Sequence, residues 1–175
     1  MTVPNQDLER LVNWFVSFRS CLVAFSGGVD SSLLAFAAKS ALGNRAHAVI
    51  SKSPAMAESE IDWAKKVAKE IGIELLEVVQ NDLEDREYVK NSVTRCYFCR
   101  SNLVDAMRPL VDRLAIEVCV DGTHADDMSS PRPGVKALRE AGFRPPILEL
   151  GFGKEKIRNM ARTAGLSTWQ RPSEA

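Results

Sequence analysis

Ser26-Gly27-Gly28-Val29-Asp30-Ser31-Ser32 follows directly on the apolar run Cys21-Leu22-Val23-Ala24-Phe25. The run reads as a buried strand, the Gly and Ser residues as a tight turn, and the stretch from about Asp30 to Leu42 as a helix. A strand, turn and helix start in this order build an anion hole. Gly27 and Gly28 carry no Cβ, so backbone N–H groups can turn inward and approach a ligand closely. The helix start adds unpaired N–H donors and the positive end of a macrodipole. Ser26, Ser31 and Ser32 bring hydroxyl donors to the same rim, and Val29 sits among them in the turn. Asp30 is out of place in a pure anion hole, and a divalent cation such as Mg²⁺ bridging it to phosphate accounts for it. Ser and Asp ahead of an apolar helix are also ordinary capping chemistry, and a Gly-Gly turn can be purely geometric. Two glycines, three hydroxyls and an acid together favour phosphate. The spacing fits neither G-x-x-x-x-G-K-[ST] nor G-x-G-x-x-G.

Outward from this stretch, strand and helix signals alternate. Apolar periodicity marks helices over 8–18, 32–42, 58–71, 101–114, 135–141 and 154–164. Gly72 and Gly165 close two of them, and Pro109 is expected to kink or break a third. Strands are expected over 21–25, 46–51, 73–79, 116–121 and 147–150. Residues 81–95, charged and weakly periodic, read as a surface excursion carrying Cys96 and Cys99. The fold class is therefore α/β: a parallel five-stranded sheet with helices on both faces, in one domain spanning 1–175. Ligands in such sheets bind at the carboxyl ends of strands near the switch in strand order. That directs attention to the loops 26–32, 51–57 and 122–130.

The last of these contains Asp121-Gly122-Thr123-His124-Ala125-Asp126-Asp127. Gly122 permits close backbone approach, Thr123 and His124 supply donors, and Asp126 and Asp127 supply oxygens suited to a metal. A solvated turn is the plainer reading, and the position at a strand's carboxyl end argues against it. Ser51 and Ser53 follow the second strand. Lys154 and Arg158 share a helix face and read as a solvated surface more readily than as phosphate ligands. Trp14 and Trp63 read as packing residues.

The chain has 175 residues, 45% of them hydrophobic, with 23 basic and 23 acidic side chains. That balance gives no basic excess for a nucleic-acid surface. No apolar run approaches the ~20 residues of a membrane helix, and the first residues lack a signal-peptide pattern, so the cytosol is the expected compartment. The four cysteines are then thiols or ligands rather than a disulfide framework. Cys21 and Cys119 fall in expected strands. Cys96-Tyr97-Phe98-Cys99, flanked by Arg95 and Arg100, can be half of a zinc site, a redox pair, two ligands of an iron–sulfur cluster, or two ordinary thiols.

Ser26-Gly27-Gly28-Val29-Asp30-Ser31 matches at every position the SGGxDS signature of the PP-loop (pyrophosphate-loop) ATP pyrophosphatases, which the chain resembles. The resemblance is strongest to the LarE-type sacrificial sulfur transferases and covers nearly the whole length. It runs through Gly122-Thr123, Asp126-Asp127, Arg132-Pro133-Gly134, the Lys154 to Arg158 helix, Trp169 to Pro172 and the Arg-Cys-Tyr-x-Cys stretch. His124 stands where that group commonly has Asn.

The resemblance implies ATP as ligand, with Ser26, Gly27, Gly28, Val29, Asp30, Ser31, Ser32, Ser51, Gly122 and Thr123 around it. It implies Mg²⁺ on Asp30 and Asp127, catalytic roles for Asp30, Ser31 and Asp127, and a [4Fe–4S] cluster as one reading of Cys96 and Cys99. It further implies adenylation of a nicotinate-derived carboxylate with release of pyrophosphate, then sulfur transfer. The family's sulfur-donating Cys would be the residue after Ala175, so the chain is expected to lack a C-terminal region that in full length also serves oligomerisation. A non-catalytic nucleotide-binding module, and a tRNA-thiolating or ammonia-dependent amidating branch of the superfamily, are the alternatives.

Overall fold

Strand β1 (Cys21–Ala24) pairs in parallel on both sides, with β2 (Ala46–Lys52) through Cys21 opposite Ala46 and with β4 (Val118–Val120) through Cys21 opposite Val118. Strand β3 (Glu74–Val79) adds to the free side of β2, giving the order β3-β2-β1-β4. The computed structural model that establishes this describes residues 5–54, 56–80, 94–129 and 132–172. Side chains along a strand alternate between faces, and here both faces are buried. Cys21, Val23, Ala48 and Ile50 enter one core; Leu22, Val49 and Val78 enter the other.

The first core lies beneath helices α1 (Gln6–Val16), α2 (Val29–Leu42) and α3 (Glu58–Ile71), with Leu11, Phe15, Leu33, Leu34 and Val67 at its centre. Asn5 caps α1 by accepting a hydrogen bond from the Leu8 N–H at 3.1 Å. Helix α4 (Arg95–Arg113) and helix α5 (Pro133–Glu140) cover the second core through Leu103, Met107 and Leu138. Helices α6 (Pro146–Glu149) and α7 (Lys154–Thr163) return to the first face, where Ile147, Ile157 and Met160 are buried. Among the described residues no helix is long and apolar enough to cross a membrane.

Three expectations change. The sheet has four strands among the described residues, not five: 147–150 lies at the short helix α6. Pro145 and Pro146 explain this, since neither offers an N–H to a ladder and Pro at the first helical position is preorganised for a helix. Ahead of that stretch, the chain makes one isolated parallel bridge to the end of β4, Val120 to Arg144. Helix α4 is not broken at Pro109, which lies on its exposed side, where the carbonyl that loses its partner can meet water. Helix α4 also starts at Arg95, so Cys96 and Cys99 occupy its first turns rather than a loop. The rest of the expected excursion, 81–93, lies outside the described residues.

The chain steps from β1 outward to β2 and β3, then crosses to the other side of β1 to form β4. The reversal falls between β1 and β4, which places the crevice of such a sheet between the loops that follow them.

Candidate nucleotide site

Helix α2 begins immediately after the turn, with Gly28 as its N-cap in extended conformation (φ −77°, ψ 167°) and no side-chain cap bond. The first-turn N–H groups of α2 therefore lack an intrahelical acceptor and face the crevice as donors. Gly27 has φ +77°, the left-handed region that glycine adopts without strain. The turn is braced from within. Ser32 Oγ donates to the Gly28 carbonyl at 2.7 Å and Ser31 Oγ to the same oxygen at 3.3 Å. The Ser26 N–H donates to Ser31 Oγ at 3.2 Å, and the Gly28 N–H to Ser26 Oγ at 3.3 Å. Ser32 is fully buried and Val29 nearly so, so their side chains shape the turn from behind while Ser26 remains exposed at the rim.

The second loop closes on the first. A Cβ on Gly122 would stand 3.0 Å from Asp30 Cβ, so only glycine lets the two loops meet this closely. Asp121 is 5% exposed and accepts from the Thr123 N–H at 3.0 Å, from Thr123 Oγ1 and from Arg139. Arg139 also donates to the Phe143 carbonyl, so one guanidinium joins the turn after α5 to Asp121 at the end of β4. Arg139→Leu is expected to destabilise the fold by about 3 kcal/mol, because the buried Asp121 carboxyl loses the cation it is paired with. Urea denaturation checks this, with partial recovery expected in Arg139→Leu/Asp121→Leu.

Lys154 opens α7 at the same rim. Its Nζ lies 3.0 and 2.8 Å from the two carboxylate oxygens of Asp30, each side chain 25% exposed. Its N–H donates to Asp126 Oδ2 at 2.7 Å. Lys154, weighed in the sequence as a solvated face, is thus the cation facing Asp30; its partner lies 124 positions away, beyond any local pattern. Asp127 is turned elsewhere: Oδ1 meets Arg132 at 2.9 Å and Oδ2 accepts the His124 N–H at 3.1 Å. His124 packs between Asp126 (3.8 Å) and Asp127 (3.5 Å), and its Nδ1 has no hydrogen-bond partner. Arg158 donates to the carbonyls of Trp169 (2.6 Å) and Arg171 (2.9 Å) and so fastens the last described segment to α7.

Mg²⁺ takes one or two carboxylates and completes its shell with phosphate and water. The residues fit that demand: Asp30 stands at the mouth of the loop and already accepts a positive group, the Lys154 ammonium. Among the described residues no three His, Cys, Asp or Glu side chains gather into a metal site. An iron–sulfur cluster therefore has no complete ligand set among these residues. Cys96 is exposed and Cys99 half-buried, and no disulfide joins them. Cys21 and Cys119 are held as thiols by burial, which pushes Cys119 up to about 11 and Cys21 higher still. Sequence reasoning also missed Gln80, buried at the end of β3. It accepts from Ser51 Oγ at 2.8 Å and donates to the Cys99 carbonyl at 2.7 Å, linking β2, β3 and α4.

A parallel sheet with a glycine loop and helix start at its switch point defines a nucleotide-binding α/β domain of the pyrophosphate-loop class. The sequence model of the asparagine synthase family matches residues 7–115, and the chain belongs to this family within the PP-loop superfamily. An uncharacterized protein of Synechocystis sp. is 37% identical over 167 residues, 95% of this chain and 62% of that protein. The pyridinium-3,5-bisthiocarboxylic acid mononucleotide synthase of Lactiplantibacillus plantarum is 30% identical over 167 residues, 95% of this chain and 57% of its own length. The chain spans about three fifths of the length of these curated relatives. The solved structure of NMN synthetase from Francisella tularensis superposes with a TM-score of 0.77 at 14% identity, over 98% of this chain and 76% of that one, a likeness of fold.

Proposed function

We propose that the chain is an ATP pyrophosphatase domain that adenylates a carboxylate. The observation that carries this is the α2 N-terminus behind Gly27 and Gly28, without a side-chain cap, carrying Asp30 in its first turn with Lys154 against it at the sheet's switch point. In the proposed reaction an oxygen of the acceptor carboxylate attacks the α phosphorus. The bond from that phosphorus to the α–β bridging oxygen breaks, and pyrophosphate leaves with the electron pair. The loop N–H groups and Ser26 hold the β and γ phosphates, and donors fixed in place act without reorganising. Ser31 sets the turn through Gly28. Lys154 Nζ places a positive charge at the rim and can exchange Asp30 oxygens for phosphate oxygens. Asp30 would hold Mg²⁺, and Asp127 would join as a second carboxylate only by leaving Arg132 and the His124 N–H; when bound, the ion neutralises charge developing on the leaving group. Ser51, Gly122 and Thr123 rim the adenosine side.

The acceptor we propose is a nicotinate-derived carboxylate, with sulfur transfer completing the reaction in the whole protein. Support for this finer reading is the name of the Lactiplantibacillus relative, a synthase of a bisthiocarboxylic acid mononucleotide. The test is product analysis. With ATP, Mg²⁺ and a pyridine-carboxylate mononucleotide, ion-exchange chromatography is expected to show AMP-containing product and pyrophosphate. ADP and phosphate as the main products would refute the adenylating reading.

A further inference from the structure

We infer that Trp63 is a positioning residue for the phosphate loop, its indole N–H holding the Gly27–Gly28 peptide so that the Gly28 N–H faces the ligand. The inference rests on the phosphate reading of that loop. Trp63 lies on α3, and its Nε1–H donates to the Gly27 carbonyl at 2.9 Å. A peptide unit is planar and trans, so its C=O and the following N–H point in opposite directions. Holding the Gly27 oxygen against α3 therefore aims the Gly28 N–H into the turn. There its protein partner is Ser26 Oγ at 3.3 Å, a long bond that an anion can replace.

Such an anchor matters here because the peptide follows a glycine in the left-handed region. Turn types that differ by rotation of one central peptide lie close in energy when glycine is present. In the rotated form a carbonyl oxygen would face the phosphates. The same indole also walls the turn: its Cδ1 lies 3.0 Å, and Ala64 Cα 3.1 Å, from where a Gly27 Cβ would stand. The ring also meets the Arg171 guanidinium at 4.6 Å, in a segment fastened by Arg158 and by Ser167 on Glu70. Packing alone could be met by Phe or Leu; the indole adds an N–H aimed at a main-chain oxygen.

Trp63→Phe keeps the aromatic packing and removes the donor. Titration calorimetry with inorganic pyrophosphate is expected to show binding about five- to tenfold weaker, the worth of one hydrogen bond. Arg171→Ala, which leaves the N–H in place, is expected to bind within about twofold of the unaltered protein. Amide exchange at Gly28 in the ligand-free protein is expected to rise in Trp63→Phe and stay unchanged in Arg171→Ala. Trp63→Phe binding as tightly as the unaltered protein, or Arg171→Ala losing as much, would overturn the inference and leave the phosphate reading standing. If the unaltered protein binds neither pyrophosphate nor ATP, the phosphate reading fails and takes the inference with it.

Discussion

Asp30→Ala is expected to lower Mg²⁺-dependent pyrophosphate release by about a thousandfold or more, while the fold survives. The loss follows from removing the carboxylate proposed to hold the metal, a contribution of several kcal/mol to the barrier. The structural cost is small by comparison. The Asp30–Lys154 pair is a quarter exposed on each side and in contact with solvent, so it contributes under about 1 kcal/mol. Asp30 also sits in the first turn of α2, where a carboxylate and the helix dipole attract by about 0.5 kcal/mol. Together these correspond to a melting shift of about 2–6 °C in a chain of this size. A coupled pyrophosphate assay beside a thermal melt decides it. Release above a tenth of the unaltered rate would remove Asp30 from the metal's ligands, and a melt collapsing by tens of degrees would make the residue structural instead.

The strand, turn and helix at 21–42 were legible because every determinant is local. An apolar run, two glycines and an Ala/Leu helix follow one another without a gap, and the structure assembles them in that order. The meeting of the two loops was also within reach, since both follow apolar strands and parallel sheets bring carboxyl ends to one side. What the sequence hid depends on distant partners. Lys154 and Trp63 each looked like a helix-surface or packing residue. Their roles come from Asp30 and Gly27, which only the packing of α7 and α3 against α2 brings near.

The hydroxyls were legible as a group and not individually. Ser26, Ser31 and Ser32 share one composition signal, yet Ser32 is fully buried on the Gly28 carbonyl and Ser26 lies at the rim. The helical phase that separates them depends on where α2 starts. The fifth strand failed for a local reason overlooked in the apolar run: a Pro pair ahead of it favours a helix start. The start of α4 at Arg95 was hidden because its first turn, Arg95 to Phe98, carries no acidic residue and follows a charged, weakly periodic stretch; Thr94, an ordinary N-cap residue type, was the local signal available.

The two adjacent glycines are expected to fail in different ways when each is replaced by Val. At position 27 the backbone has φ +77°, and a Cβ would press on Trp63 Cδ1 at 3.0 Å and on the α3 backbone at Ala64 Cα, 3.1 Å. The left-handed conformation costs about 1–2 kcal/mol for a residue with a Cβ, and overpacking adds about 1–3. A loss of about 2–5 kcal/mol is a large share of the total stability of about 5–15 kcal/mol usual for a domain. At position 28 the backbone is extended, which any residue adopts, and a Cβ would meet Ser26 Oγ alone, at 3.3 Å, a hydroxyl held by long bonds to the Gly28 N–H and Ser31 Oγ that a side-chain rotation can give up. Gly28→Val should therefore melt within a few degrees of the unaltered protein. Its two methyl groups enter the space in front of the α2 donors, however, and deny two or more phosphate hydrogen bonds. Such bonds to a charged group carry about 1.5–3 kcal/mol each, so ATP affinity is expected to fall by about a hundredfold or more. Calorimetry and thermal melting on both variants separate the outcomes. Unaltered ATP affinity in Gly28→Val would show that the space before α2 does not hold the phosphates, and equal destabilisation of both variants would show that Gly28, like Gly27, is there for the chain alone.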